Sequence, residues 1–298
     1  MWALNAVLGR FASDLIGPML FNFLRWAIVL ALLAPLAPWV FRRGSGLWVH
    51  GRRFALLGFF SVAVYNSLQY LALHSSSPIN VTLIAASMPV WIIIIGALFF
   101  HTPVTGWKLV GAVASIAGVV VVLTRGDLTT ILAFRFLPGD LLILLAIIGW
   151  SLYSWLLTRT DIPERIRSDW AALLLAQVLY GLIFSGLFTL AETAFWPQPT
   201  VWGWPLILTL VVVAIGPAIL AFRYWGEGVR TFGPTLAGFF ANLAPLFTAL
   251  MSTVFLGEPP RLFHLVAFML IVGGIWISSL KTASPSSSDP DATERRAR

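Results

Sequence analysis

The sequence predicts an all-α polytopic membrane protein with about ten transmembrane helices, arranged as two inverted five-helix repeats. Three observations carry that prediction. The chain is 59% hydrophobic and only 10% charged, with a mean hydropathy of +0.89, whereas soluble domains carry roughly 25% charged residues. Apolar runs of about the 20 residues a bilayer demands follow one another along most of the chain, separated by short polar connections. Residues 78–123 and 234–279 also repeat one pattern at an offset of 156, so that Pro78, Pro89, Pro103 and Gly118 answer to Pro234, Pro245, Pro259 and Gly274. A duplicated membrane unit of this kind encloses a polar chamber between its halves.

Charge and composition narrow the class further. The formal net charge is +7, yet the basic residues sit in short loops between apolar runs, which is an orientation signal and not a nucleic-acid surface. The chain has no cysteine, so disulfides and thiolate metal sites are excluded. The runs are continuous and do not alternate with period two, which excludes a β-barrel. No metal or other cofactor is expected.

The elements follow in order. Met1 to Ser13 is too short to span, and Trp2-Ala3-Leu4-Asn5-Ala6 resembles Trp150-Ser151-Leu152-Tyr153-Ser154 of a later, complete helix. Helix 1 is therefore expected to lack about ten residues. The remaining spans are read at 18–41, 54–74, 79–100, 105–124, 139–158, 169–192, 203–225, 235–256 and 261–280. Pro18, Pro78 and Pro234 stand at helix starts, where a missing N–H is tolerated. Pro89, Pro217 and Pro245 are interior and should kink their helices or release carbonyls. The domain division is 1–124 for the first repeat, 125–138 for an external connection, 139–280 for the second repeat and 281–298 for a tail, disordered by its Ser/Pro/Asp/Arg composition.

Orientation comes from lysine and arginine. One set of connections holds thirteen, among them Arg42, Arg43, Arg52, Arg53, Lys108, Arg159, Arg165, Arg167, Arg230 and the tail; the other holds only Arg125, Arg135 and Arg261. The first set is expected in the cytoplasm with both termini. An odd number of helices per repeat then turns the second half upside down relative to the first.

By its residues the chain resembles the drug/metabolite transporter superfamily, specifically its EamA-type ten-helix members. The resemblance rests on Trp2-x-x-Asn5, on Phe23-Leu24-Arg25-Trp26, and on Tyr70-Leu71-Ala72-Leu73 before Ser75-Ser76. It rests also on Ala86-Ser87-Met88-Pro89-Val90 and on Leu256-Gly257-Glu258-Pro259 followed by Gly273-Gly274. The first repeat departs by placing His101-Thr102-Pro103 where the second has Gly257-Glu258-Pro259. The resemblance implies a metabolite exporter of the bacterial inner membrane with a central cavity lined by helices 1, 3, 4, 6, 8 and 9.

The residues set the chemistry such a cavity could have. Every Asp and Glu lies at or beyond a helix end, from Asp14 and Asp140 to Glu192 and Glu258. Export of lipophilic cations needs an acid at depth, so that activity is disfavoured, and no proton relay is evident. His50, His74, His101 and His264 lie in loops or near helix ends. Arg10, Arg25 and Arg223 fall within apolar sequence. Arg10 with Asp14 and Arg223 with Glu227 have i,i+4 spacing and read as local pairs, and Arg25 as snorkelling or bound to carbonyls. Alternatively Arg25 or Arg223 faces the cavity and selects a carboxylate through forked hydrogen bonds.

Neutral polar residues make the expected substrate site: Asn5, Gln69, Ser87, Trp91, Tyr153 and Asn242, together with Arg223. On helix 4, Asn80, Ser87 and Trp91 share a face; on helix 9, Gly238, Asn242, Pro245 and Ala249 do; Tyr65 lies one turn from Gln69. The alternative for each is interhelical hydrogen bonding and, for the aromatics, an interfacial belt. Pro89 and Pro245 are the expected hinges or kinks. Gly111, Ala114, Ser115 and Gly118 form small-residue pairs suited to close helix packing, with a homodimer as the other use. The expected partners are a small-molecule substrate, amino acids first, and the lipid bilayer. Nucleotide-sugar or phosphate-ester exchange needs convergent cations that the sequence does not supply. A membrane-embedded enzyme lacks any metal-ligand cluster, G-x-S-x-G or acidic pair, and a receptor or assembly subunit lacks soluble domains.

Overall fold

A computed structural model describes residues 1–76, 78–127, 129, 135–247 and 262–280. The described residues fold almost entirely as helices: α1 Trp2–Ala12, α2 Pro18–Leu33, α3 Gly51–Ser75, α4 Pro78–Ala85, α5 Met88–Phe100, α6 Gly106–Leu123, α7 Pro138–Leu156, α8 Trp170–Phe195, α9 Trp204–Ala241 and α10 Leu262–Ser279. Among the described residues, seven helical stretches are long and apolar enough to cross a bilayer, α4 and α5 counting together as Asn80–Phe100, and α2 is a shorter apolar one. The tail 281–298 and the Gly257-Glu258-Pro259 motif lie outside the described residues, as do Ala249 and Arg261.

Proline sets most of the boundaries. Pro18 occupies the first turn of α2 behind an extended Gly17. The expected span to residue 41 stops instead at Leu33, because Pro35 and Pro38 follow and cannot donate to the ladder, and Ala37 before Pro38 has left the helical region. The chain then closes with a 3-10 turn, Pro38–Phe41. α9 overruns the expected 203–225 and continues through Phe232 to a bend at Gly233, where φ is 82°. That left-handed geometry suits glycine, and Pro234 restarts the helix beyond it.

At the expected kinks, a tightened turn stands just before Pro89 and just before Pro245. Residues 86–87 and 242–243 are turns, so α4 and α5 are two helices and the helix after Gly233 breaks at Asn242. With no N–H at Pro89, Val90 reaches only to the Ser87 carbonyl, at 2.9 Å. Two wide, π-helical turns also fall at nearly equivalent places, Phe59–Tyr65 in α3 and Ala214–Leu220 in α9. Pro217 accounts for the second. In the first, the Ser61 hydroxyl bonds back to the Leu57 carbonyl at 2.7 Å and the Asn66 amide takes the Ser61 carbonyl at 2.7 Å, which loosens the ladder.

The two halves meet about an approximate two-fold axis. α6 and α10 form the most extensive helix contact in the chain. A methyl on Gly111 would stand 2.5 Å from the Gly274 carbonyl oxygen, and one on Gly118 would stand 2.9 Å from that of Ala267. Shifting by 156 and exchanging partners turns the first pair into the second, and the order of the pairs makes the helices antiparallel. The small-residue face is therefore used within one chain, and nothing in the structure assigns it to a dimer. On the axis itself the Asn242 amide donates 3.1 Å to the carbonyl of Ala86, its own repeat equivalent, and 2.9 Å to the Ser115 hydroxyl.

Candidate functional site

The interrupted helices and wide turns leave a chamber between α1, α3, α4 and the helix after Gly233. Its volume is about 460 Å³, and its wall includes Trp2, Arg10, Tyr65, Gln69, Thr82, Ala86, Asn242 and Pro245. Among the described residues, no Asp or Glu lines it. The lining is largely apolar, with a few polar groups set at points around it, the usual composition of a small-molecule site.

The polar groups are held from behind by a buried arginine. Arg25 is 1% exposed; one guanidinium nitrogen donates 3.1 Å to Asn5 Oδ1 and also bonds the Tyr70 hydroxyl. Tyr70 in turn donates 2.8 Å to Asn5 Oδ1, and the Asn5 amide donates 3.0 Å to Gln69 Oε1 at the cavity wall. The guanidinium also lies 5.0 Å from the Trp26 ring centroid and 5.7 Å from that of Tyr70. Arg25 does not snorkel, and among the described residues it bonds no backbone carbonyl and forms no ion pair. Among the described residues, no carboxylate compensates its charge.

The expected local ion pairs are not formed. Arg10 lines the chamber and donates 3.3 Å to the Leu73 carbonyl. Its helix ends at Ala12, so Asp14 lies in the following turn and off the i,i+4 face. Glu227 pairs with Arg230 at 2.7 Å, while Arg223 lies 4.7 Å over the Trp170 ring.

A stack of aromatic rings separates this chamber from a second, more polar pocket. Trp150 is fully buried; its ring centroid lies 4.6 Å from that of Tyr65 on the chamber side and 5.0 Å from that of Tyr153 on the other. Trp2 at 5.5 Å and Phe222 at 5.2 Å from Trp150 complete the partition. Beyond it lies a space of about 330 Å³ lined by Tyr153, Thr158, Gln177, Arg223 and two ion pairs, Glu164–Arg167 and Glu227–Arg230.

At the end of the bundle away from Arg53 and Arg165, two buried acids close helix ends. Asp140 is fully buried at the start of α7; it accepts 2.8 Å from the Leu137 backbone N–H, 2.8 Å from the Asn80 amide, and also the Ser76 hydroxyl. Glu192 of α8 accepts from the Met19 and Leu20 N–H groups of α2 at 3.1 and 3.0 Å. Both match a carboxylate to the positive end of a helix dipole, and neither lies in the lining of the chamber.

The structure thus distributes the expected site residues. Asn5, Gln69, Asn242 and Pro245 belong to the central chamber or its support, and Tyr153 and Arg223 to the second pocket. Ser87 sits in the interruption, its hydroxyl 2.6 Å from the Ile84 carbonyl, and Trp91 is half-buried against the core; neither lines either space. On the expected face of Asn80, Ser87 and Trp91, the turn at 86–87 separates Asn80 from Trp91. Gly238 packs against Ile92, which a methyl there would approach to 2.5 Å. Pro89 and Pro245 mark the two interruptions.

Sequence reading missed Tyr70 as the partner of Arg25, Arg10 as a wall residue and Gln177 altogether. Gln177 had a signal, as the one amide within the long apolar run of α8.

Comparison with known proteins places the chain among membrane transporters. The sequence model of the EamA-like transporter family matches residues 1–124 and again 137–280. An uncharacterized transporter of Bacillus subtilis, YyaM, is 25% identical over 85% of this chain and 82% of its own. The aromatic amino acid exporter YddG of Ancylobacter novellus is 27% identical over 81% of this chain and 78% of its own. A protein of known crystal structure, 23% identical, superposes with a TM-score of 0.67 over 93% of this chain and 94% of its own, which supports the fold.

Proposed function

The chain belongs to the EamA-like transporter family, and from that premise we propose that it exports small zwitterionic metabolites, amino acids with large apolar or aromatic side chains foremost. The observation that carries this is the character of the central chamber. Among the described residues, a lining of apolar surface, one arginine, two amides and no acid accepts an apolar side chain together with a carboxylate. The buried Arg25 behind Asn5 and Gln69 adds to the same bias. A single wall arginine is too few for a phosphate ester, which needs several convergent cations. The relative named as an aromatic amino acid exporter points in the same direction.

The Arg53–Arg165 end is assigned to the cytoplasm by the excess of basic residues there, in a plasma membrane with both termini inside. The two inverted units then rock about the axis at Ala86 and Asn242, and the aromatic partition around Trp150 opens to one side as the acid-capped helix ends close the other. Equilibrium counterflow of radiolabelled phenylalanine, leucine, glutamate and lysine by purified protein in liposomes tests the reading. Phenylalanine and leucine are expected to exchange, and Gln69→Leu to reduce that exchange at least about tenfold, the scale of one lost hydrogen bond to a charged group. Lysine exchange equal to that of phenylalanine would count against it.

A further inference from the structure

The second pocket has the features of a binding site in its own right. At its inner end the Gln177 side chain is 2% exposed and its carbonyl oxygen has no hydrogen-bond partner among the described residues. Tyr153 is also 2% exposed and lines the same pocket. At its mouth Arg223 lies over Trp170, 4.7 Å from the ring centroid, and is in no ion pair among the described residues. The neighbouring charges are already matched, Arg167 by Glu164 and Arg230 by Glu227.

A buried amide carbonyl left without a donor is costly and calls for one. A guanidinium fixed on an indole face keeps its edge N–H groups for an anion. The pocket thus presents an acceptor and a hydroxyl at one end and a cation at the other, with Leu173, Leu174 and Phe222 between.

We propose that this pocket is a loading site for a small zwitterion. The ammonium donates to Gln177 Oε1 and to the Tyr153 hydroxyl, the carboxylate rests on Arg223, and the apolar side chain lies against Phe222 and the leucines. It lies on the Arg53–Arg165 side of the Trp150 partition, so it receives substrate before the partition opens. The inference rests on the amino-acid reading above and adds to it a second, sided site.

The test uses the full-length protein reconstituted in one orientation, with L-phenylalanine as the probe. Arg223→Gln and Gln177→Leu are expected to raise the ratio of KM at the Arg-rich face to KM at the opposite face about tenfold, the effect of one charge-assisted hydrogen bond. Tyr153→Phe should move the same ratio in the same direction. Wild-type flux with an unchanged ratio overturns the loading site and leaves the exporter reading standing. Absent wild-type flux overturns the exporter reading, and thermal shift then decides the site. L-Phenylalanine that stabilises wild type but not Arg223→Gln supports the site. No stabilisation, or stabilisation by phosphatidylethanolamine alone, overturns it.

Discussion

Replacing Asn242 by leucine removes the tie between the two repeats at the point where they cross. The amide makes two buried hydrogen bonds, to the Ala86 carbonyl at 3.1 Å and to the Ser115 hydroxyl at 2.9 Å. Interhelical hydrogen bonds in membrane proteins average about 0.6 kcal/mol and reach about 1.7 kcal/mol. The Ala86 carbonyl has no helical substitute, since Pro89 interrupts the ladder and Ala86 is 3% exposed. An orphaned buried acceptor costs about 1–3 kcal/mol. The expected destabilisation is therefore about 2–4 kcal/mol, with most of it from the carbonyl. Ser115→Ala, which leaves the carbonyl bonded, should cost about 1 kcal/mol or less. Reversible unfolding in mixed detergent micelles measures both, and the double variant measures their coupling. The double variant should be less costly than the sum of the singles by about one hydrogen bond, roughly 0.6–1.7 kcal/mol. A leucine variant within about 0.5 kcal/mol of wild type, with strictly additive effects, would refute the reasoning.

Other outcomes follow from the same geometry. Gly274→Leu should destabilise the chain by about 1–3 kcal/mol or more, because even a methyl there would stand 2.6 Å from the Gly111 carbonyl oxygen, while Gly273→Ala meets open space and serves as the control; thermal melts in detergent compare them. Glu192→Leu should cost about 0.5–2 kcal/mol, the range for losing a helix cap, by stranding the Met19 and Leu20 N–H groups; hydrogen exchange at the start of α2 should rise locally. Because the chain has no cysteine, single cysteines at Arg52, Arg165 and Arg135 can be labelled with an impermeant maleimide. Arg52→Cys and Arg165→Cys are expected to label from one face and Arg135→Cys from the other, and labelling of Arg52→Cys and Arg165→Cys from different faces would overturn the sidedness.

The spans and the duplication were legible because bilayer insertion depends on local hydropathy and proline acts on its own helix. Pro18, Pro78 and Pro234 start helices as their local geometry demands, and Pro89 and Pro245 mark the interruptions. The extent of α2 was misread because an apolar run to residue 41 outvotes Pro35 in a hydropathy count. The i,i+4 pairing of Arg10 with Asp14 presumes a helix that in fact ends at Ala12, and that of Arg223 ignores the nearer claim of Arg230 on Glu227. The site was less legible than the fold, because its partners are distant in sequence. Arg25 meets Asn5 and Tyr70 from α1 and α3, and Asn242 meets Ala86 from the other repeat. No local pattern encodes such meetings.

The central claim is that a chamber lined by no acid among the described residues, with a buried arginine behind it, moves carboxylate-bearing molecules. The most direct measurement compares counterflow of L-phenylalanine, its amide and phenethylamine by the same liposomes. Phenylalanine is predicted to exchange at least about tenfold faster than either, the value of one charge-assisted contact to the carboxylate. Exchange of phenethylamine at the rate of phenylalanine would contradict the account.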